Sequence, residues 1–249
     1  EKPWKWLFEF IGKSKVPIMN SAGGTEVSGS ILHCCLHRPF KVGSFNAPIP
    51  GMSADILTLD GKKVSTDEMG ELVMRKSSIG LTKSLWNDDD GYIKNYWSII
   101  KDFWVHGDLA SKDKDGHWFL HGRSDDTIKV SGKRIGPSEL ESVIVKSGKA
   151  KEVAAVGIPD ENKGSKIILS IVLLENSEEK ESYFENLVIN DLGKSFKPDK
   201  IIFVKDLPKT RNMKIMRRVI KSCLAKEDPG DISTLLNPES VEEIRAHAI

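Results

Sequence analysis

Cysteine is scarce: three occur in 249 residues, Cys34 and Cys35 side by side and Cys223 far away. That number supports neither a disulfide framework nor a zinc cluster and points to a reducing, cytoplasmic setting. An excess of one charge is also lacking, since 37 Lys and Arg face 36 Asp and Glu for a net charge of +1. No electrostatic reason then exists to expect nucleic acid or an anionic membrane as the main partner. No apolar run approaches the length of a membrane span, and the opening residues do not read as a signal peptide. Solenoid-length repeats and low-complexity linkers are missing as well. What is present, 39% hydrophobic and 29% charged residues, is ordinary globular composition, enough for one large domain or two smaller ones.

The opening "EKPWKWLFEFIG" reads as an amphipathic helix entered in mid-stream. The first half then suggests short strands and tight turns. "SADILTLDGKKVS" (53–65) alternates apolar and polar residues around Asp60-Gly61, a hairpin signal; "GELVMR" (70–75) is a further strand, and "KDKDGHWFLHGR" (112–123) turns at Asp115-Gly116. After Arg123 the texture changes. Pro137 opens and Gly148 closes a helix with a Leu140, Val143 and Ile144 stripe. "EVAAVGIP", "KIILSIVLLE" and "KIIFVKDLP" read as strands, residues 177–194 as a helix, and "KIMRRVIKSCL" as a final helix. The expected fold is mixed α/β and α+β: a β-rich segment with hairpins over 1–124, then a small α+β domain over 125–249.

"SAGGTEVSG" (21–29) offers almost no apolar area to bury. It lets the backbone pass close to something and leaves Thr25 and Glu26 facing it. Taken alone, the stretch reads first as a flexible surface loop.

Four stretches together resemble adenylate-forming enzymes, acyl-CoA synthetases most closely: "GGTEVSG" (23–29), the block 106–142 from "HGDLA" to "SELES", "VAAVGIPDENKG" (153–164) and "LPKTRNMKIMRR" (207–218). Enzymes of this family activate a carboxylate with ATP and Mg²⁺, release pyrophosphate, and pass the acyl group to coenzyme A. The resemblance implies that Gly23, Gly24, Thr25 and Glu26 face ATP or AMP, with Glu26 at the Mg²⁺ carried by ATP. Asp108 would accept both ribose hydroxyls, a task suited to a carboxylate. Arg123 and Arg134 would contact ribose and phosphate, where guanidinium is hard to replace. Ser131 and Gly132 would let the pantetheine arm of coenzyme A pass. Asp125 would be a hinge for a mobile small domain. Lys214 would be catalytic, its ammonium meeting charge that builds on the carboxylate and α-phosphate. It would also be the target of a lysine acetyltransferase and deacetylase, since acetylation removes that charge. Blander readings stand beside these: Asp108 in a plain turn, Arg123 paired with Asp125 or Asp126, "SGK" as an ordinary turn, and 209–226, with seven basic residues, as a solvated helix.

The family's Ser/Thr/Gly-rich phosphate loop with its lysine has no counterpart here, so the chain is expected to be the C-terminal portion of a longer enzyme and inactive alone. Three positions depart from the family pattern. Met213 replaces the glycine before the lysine; a positive φ there would strain methionine. Gly23 stands where acetate-specific members place a tryptophan floor, which implies an acid larger than acetate. Ile189 stands near an arginine that contacts coenzyme A in acetyl-CoA synthetases. The competing functions are a ligase that loads a carrier protein and a non-catalytic relative that binds a nucleotide or a partner.

Overall fold

The structure, a computed structural model that describes residues 2–249, divides into two units, Glu1–Ser124 and Asp125–Ile249. In the first, α1 (Lys2–Trp6) runs on as a π-helical turn over Leu7–Ile11. The expected helix is present, but none of these residues is buried. Its aromatic side chains stack on one another instead, Trp4 on Phe8 and Trp6 on Phe10 with centroids 5.7 and 6.0 Å apart, as residues one turn apart can.

Strands β1 (Ser21–Gly24), β2 (Gly29–His33) and β3 (Ala47–Pro48) form a small antiparallel sheet, with a register shift between Ala22 and Gly23. A 3₁₀ turn, Thr25–Val27, joins β1 to β2. Next come β4 (Ala54–Leu57), β5 (Gly70–Met74), α2 (Asp89–Tyr92) with a π-helical extension Ile93–Trp97, β6 (Trp104–Lys112) and β7 (Trp118–Arg123). The four strands make one antiparallel sheet in chain order. All of β5 is buried, and Leu72, Met74, Trp104 and Trp118 join Ile31 and Leu32 in the core.

The expectation for 53–65 needs correction. Only its first arm is a strand, and its return makes a single bridge, Leu57 to Lys63. The turn closes as expected, with the Gly61 amide donating to the Thr58 carbonyl, but β4 spends its edge on the wholly buried β5. The turn at Asp115-Gly116 does form a hairpin: Gly116 adopts φ +85° and the Asp113 carboxylate accepts the Asp115 and His117 amides. Helix α2 and its extension escaped the sequence reading altogether.

In the second unit, β8 (Ile128–Val130) and β9 (Lys133–Ile135) form a hairpin, followed by α3 (Pro137–Lys146), β10 (Ala150–Asp160), β11 (Gly164–Leu173), α4 (Glu181–Leu192), β12 (Lys200–Phe203), α5 (Arg217–Leu224) and α6 (Glu239–Arg245). Helix α3 starts at the proline, and Glu139 accepts the Gly136 amide. Strand β10 pairs antiparallel with β11, and β12 parallel to it after the α4 crossover. Alternation sorts the apolar strand residues. Val153, Ala155, Ile167 and Leu169 meet Leu140 and Phe184, while Ala154, Val156, Ile158 and Ile168 meet Ile220 and Ile244. Both faces of the sheet are therefore covered by helices, which is why β10 and β11 read as continuous apolar runs. The last expected helix begins three residues late, at Arg217, because the preceding loop closes on itself; α6 was not foreseen.

Candidate functional site

In the first unit, the emptiness of 21–29 has two separate causes. A Cβ on Gly23 would run into the Gly29 carbonyl of the paired strand. A register shift lies beside it, between Ala22 and Gly23, and backbone of β2 fills the direction a side chain at 23 would take. On Gly24, a Cβ would stand 2.9 Å from Glu26 Oε2 and 3.0 Å from His106 Cε1. Glycine at 24 therefore permits Glu26 and His106 to close on one spot. The half-buried Glu26 is held from behind, accepting from the Tyr96 hydroxyl at 3.1 Å through Oε1. Its carbonyl accepts the Thr82 amide at 2.7 Å. Thr25 is exposed beside it.

Tyr96 belongs to the π-helical extension and stacks on Trp104 with centroids 5.4 Å apart and planes 5° apart. Burial first, then Glu26, raises its phenol above 10.0. Trp104 in turn meets the His106 ring at 5.5 Å.

Asp108 lies within β6, paired with Arg123 of β7, so it is not in a plain turn. Gly107 takes φ +82°, and a Cβ there would be 2.7 Å from an Arg123 guanidinium nitrogen. That glycine lets the arginine lie across the strand. His106 Nε2 is 3.3 Å from Asp108 Oδ2, and Arg123 Nη1 is 3.8 Å from Oδ1. The same guanidinium nitrogen donates to the His106 carbonyl at 3.0 Å. Burial pushes the His106 imidazole below 6.5; Arg123 lowers it further, while Asp108 and Glu26 oppose.

Thus Gly24, Glu26, Asp108 and Arg123 come together, and His106, Tyr96 and Trp104 join them unforeseen. "HGD" carried a local hint of His106. Tyr96 had none, because only the long-range fold carries it to Glu26. No group of three or more acidic, histidine or cysteine side chains placed to hold a metal exists among the described residues. Any role for Glu26 toward magnesium would be as a single carboxylate to an ion that arrives on phosphates. Among the described residues no helix is long and apolar enough to cross a membrane.

In the second unit, the expected ligand-contacting residues are exposed. Asp125 opens the unit and is exposed. Ser131 and Gly132 form the β8–β9 turn at φ +49° and +81°; the Ser131 amide donates to the Lys163 carbonyl, and a Cβ on Gly132 would meet open space. Arg134 is exposed on β9 opposite Lys129. Ile189 lies half-buried in α4.

Lys214 is exposed on a closed loop. The Thr210 amide donates to the Lys214 carbonyl at 2.9 Å, the Lys214 amide to Thr210 Oγ1 at 3.2 Å, and Lys209 bridges Ile215. Met213 takes φ +63° in that loop. The loop's base is anchored by Lys209, which is 5% exposed and lies 2.6 Å from Asp206 and 2.7 Å from Glu152. Burial works against its ammonium, but these hydrogen bonds outweigh it and raise the pKa above 10.5. Asn237 accepts the Lys209 amide and donates to Asp206. Arg217 makes a two-pronged bond to Glu141 at 2.9 and 2.7 Å. Arg218 donates to the Pro229 and Asp231 carbonyls, so three members of the basic run 209–226 are tied into the structure.

Residues 139–214 match the family of AMP-binding enzyme C-terminal domains. Acetyl-coenzyme A synthetase from Methanothrix thermoacetophila is 38% identical over 246 residues, covering 96% of this chain and 37% of that protein. The synthetase of the same name from Pasteurella multocida is 37% identical over 254 residues, with 97% and 39% covered. Acetoacetyl-CoA synthetase from Streptomyces lividans has the same fold, with TM-score 0.84 over 98% of this chain and 38% of that one at 22% identity. The chain thus spans less than two fifths of the length of these relatives.

Proposed function

We propose, from the premise that this chain belongs to the adenylate-forming superfamily, that it is the C-terminal portion of an AMP-forming acyl-CoA synthetase. The observation that carries this reading is the gathering of Glu26, Asp108 and Arg123 about His106, which itself lies against Gly24. In the reaction, the oxygen of a small carboxylic acid attacks the α-phosphate of ATP, the bond to pyrophosphate breaks, and the acyl adenylate then yields its acyl group to the coenzyme A thiol, releasing AMP. Magnesium supplies charge neutralisation on the phosphates. Glu26 orients the phosphate end, Asp108 accepts from the ribose hydroxyls, and Arg123 and Arg134 neutralise phosphate. Lys214 offers a compact cation to the developing charge. Ser131 and Gly132, open on their turn, leave room for the pantetheine arm. Asp125 is the hinge on which the small unit changes pose between the two steps. The exposure of Lys214 also suits it to an acetyltransferase and deacetylase pair.

For the acid, the expectation of one longer than acetate keeps only the missing tryptophan as support. The Gly23 geometry explains that glycine by strand packing, and the relatives above are named for acetate and acetoacetate. Carboxylic acids from two to ten carbons, given to the full-length protein with ATP and coenzyme A, test the whole reading through pyrophosphate and acyl-CoA release. No pyrophosphate with any acid overturns it; product only with a carrier protein overturns coenzyme A as acceptor; highest kcat/KM for acetate overturns the longer acid. A non-catalytic relative is favoured by one observation, the positive φ forced on Met213.

A further inference from the structure

His106 is buried, yet the nucleotide chemistry just described gives it no task. Its position is unusual in touching three parts of that site at once. The ring edge faces Gly24, so closely that a Cβ there would be 3.0 Å from Cε1. Its Nε2 lies 3.3 Å from Asp108 Oδ2, and its carbonyl accepts Arg123 Nη1 at 3.0 Å. The two Asp108 oxygens are thereby addressed from opposite sides, Oδ2 by the imidazole and Oδ1 by the guanidinium 3.8 Å away. The ring itself is braced by Trp104, which is fully buried and stacked on Tyr96, the residue that holds Glu26. The result is a continuous packed path from the Glu26 carboxylate through Tyr96, Trp104 and His106 to Asp108.

We propose that His106 is a positioning residue that sets the Asp108 carboxylate for the ribose hydroxyls and ties it to the Gly24–Glu26 turn. The inference rests on the nucleotide-site reading above. An unheld carboxylate on a bulged strand has several rotamers; one with a cationic or polar neighbour at each oxygen has fewer before ligand arrives, which strengthens binding. Loss of this neighbour should change ribose-dependent binding roughly tenfold, or about 1.4 kcal/mol.

The test measures AMP and 2′,3′-dideoxy-AMP binding to the full-length protein by calorimetry, with no metal required. Wild-type protein should prefer AMP, because the dideoxy compound lacks both hydroxyls. His106→Leu keeps an apolar body against Trp104 but removes both ring nitrogens; its preference for AMP should fall at least tenfold, with dideoxy-AMP affinity nearly unchanged. His106→Gln, which can still reach Asp108 with an N–H, should restore most of the preference. An unchanged preference in His106→Leu overturns the proposal, as does equal loss in the Leu and Gln variants, which would mark a packing role alone. Wild-type protein that binds neither ligand overturns the nucleotide-site reading itself.

Discussion

The two units place their chemistry in opposite ways. In Glu1–Ser124 the candidate side chains are packed together, Glu26, Tyr96 and Asp108 half-buried and His106 buried, drawn from the turn after β1, the extension of α2, and strand β6, with the exposed Arg123 of β7 laid against them. In Asp125–Ile249 the corresponding side chains are exposed and single, on the β8–β9 turn and the Lys214 loop, while only the bases of those elements are anchored. The difference teaches that the first unit fixes its side chains through one another, whereas the second fixes the loops beneath its side chains, through anchors such as Lys209.

The largest expected break in this contrast is Lys214→Ala in the full-length protein. Carboxylate-dependent pyrophosphate exchange should fall by roughly 10²–10³-fold, whereas thermal stability should hardly move because the side chain is exposed. Next is Lys209→Met. Leaving Glu152 and Asp206 without their shared cation should cost about 2 kcal/mol in urea denaturation, less than a wholly buried pair because Asp206 is 44% exposed. If stability is unchanged, the anchor argument is wrong. Gly24→Ala should do the reverse, weakening AMP binding about tenfold, or about 1.4 kcal/mol, with little change in melting temperature, as its Cβ displaces Glu26 and His106 rather than core.

Smaller is Met213→Gly. The left-handed backbone costs methionine about 1 kcal/mol, part of which the greater unfolded-state freedom of glycine offsets. A slightly raised melting temperature and faster pyrophosphate exchange are expected; slower exchange would show that Met213 suits this loop. The smallest effect compares one hairpin turn from each unit. Lys41 and the His117 amide outweigh burial at Asp113, while Lys166 and the Lys163 amide act at Asp160, and both carboxyls are lowered to about 2. A depressed carboxyl stabilises the fold above its unfolded value of 3.8 and loses that contribution as pH falls towards 2. Asp113→Asn and Asp160→Asn should each lower stability at pH 7, and melting curves of variant and wild type should converge between about pH 4 and pH 2.

Much of the second unit was legible because its signals are local. Pro137 and Gly148 bracket α3, and the β10 and β11 runs are apolar throughout because helices cover both faces. The first unit was harder. The pattern of 53–65 is a hairpin by every local sign, yet competition for β4 is decided by β5, which no short window contains. Helix α2 lies in the polar "NDDDGYIK", where Asp88 accepts the Gly91 amide as a cap, too short for an apolar stripe to show.

By itself the sequence determined the residue types that chemistry demands: Glu26 after two glycines, Asp108 after Gly107, arginine at 123, lysine at 214. It also announced the strain at Met213, since a residue in place of glycine carries its conformational cost wherever the loop closes. Tertiary structure alone decided why those glycines are there. Gly23 is required by a strand pressed against its partner and Gly24 by two side chains converging from 80 residues apart in the chain. Whether a Cβ is tolerated depends on what lies a few ångströms away in space, and neighbours in the chain do not carry that information.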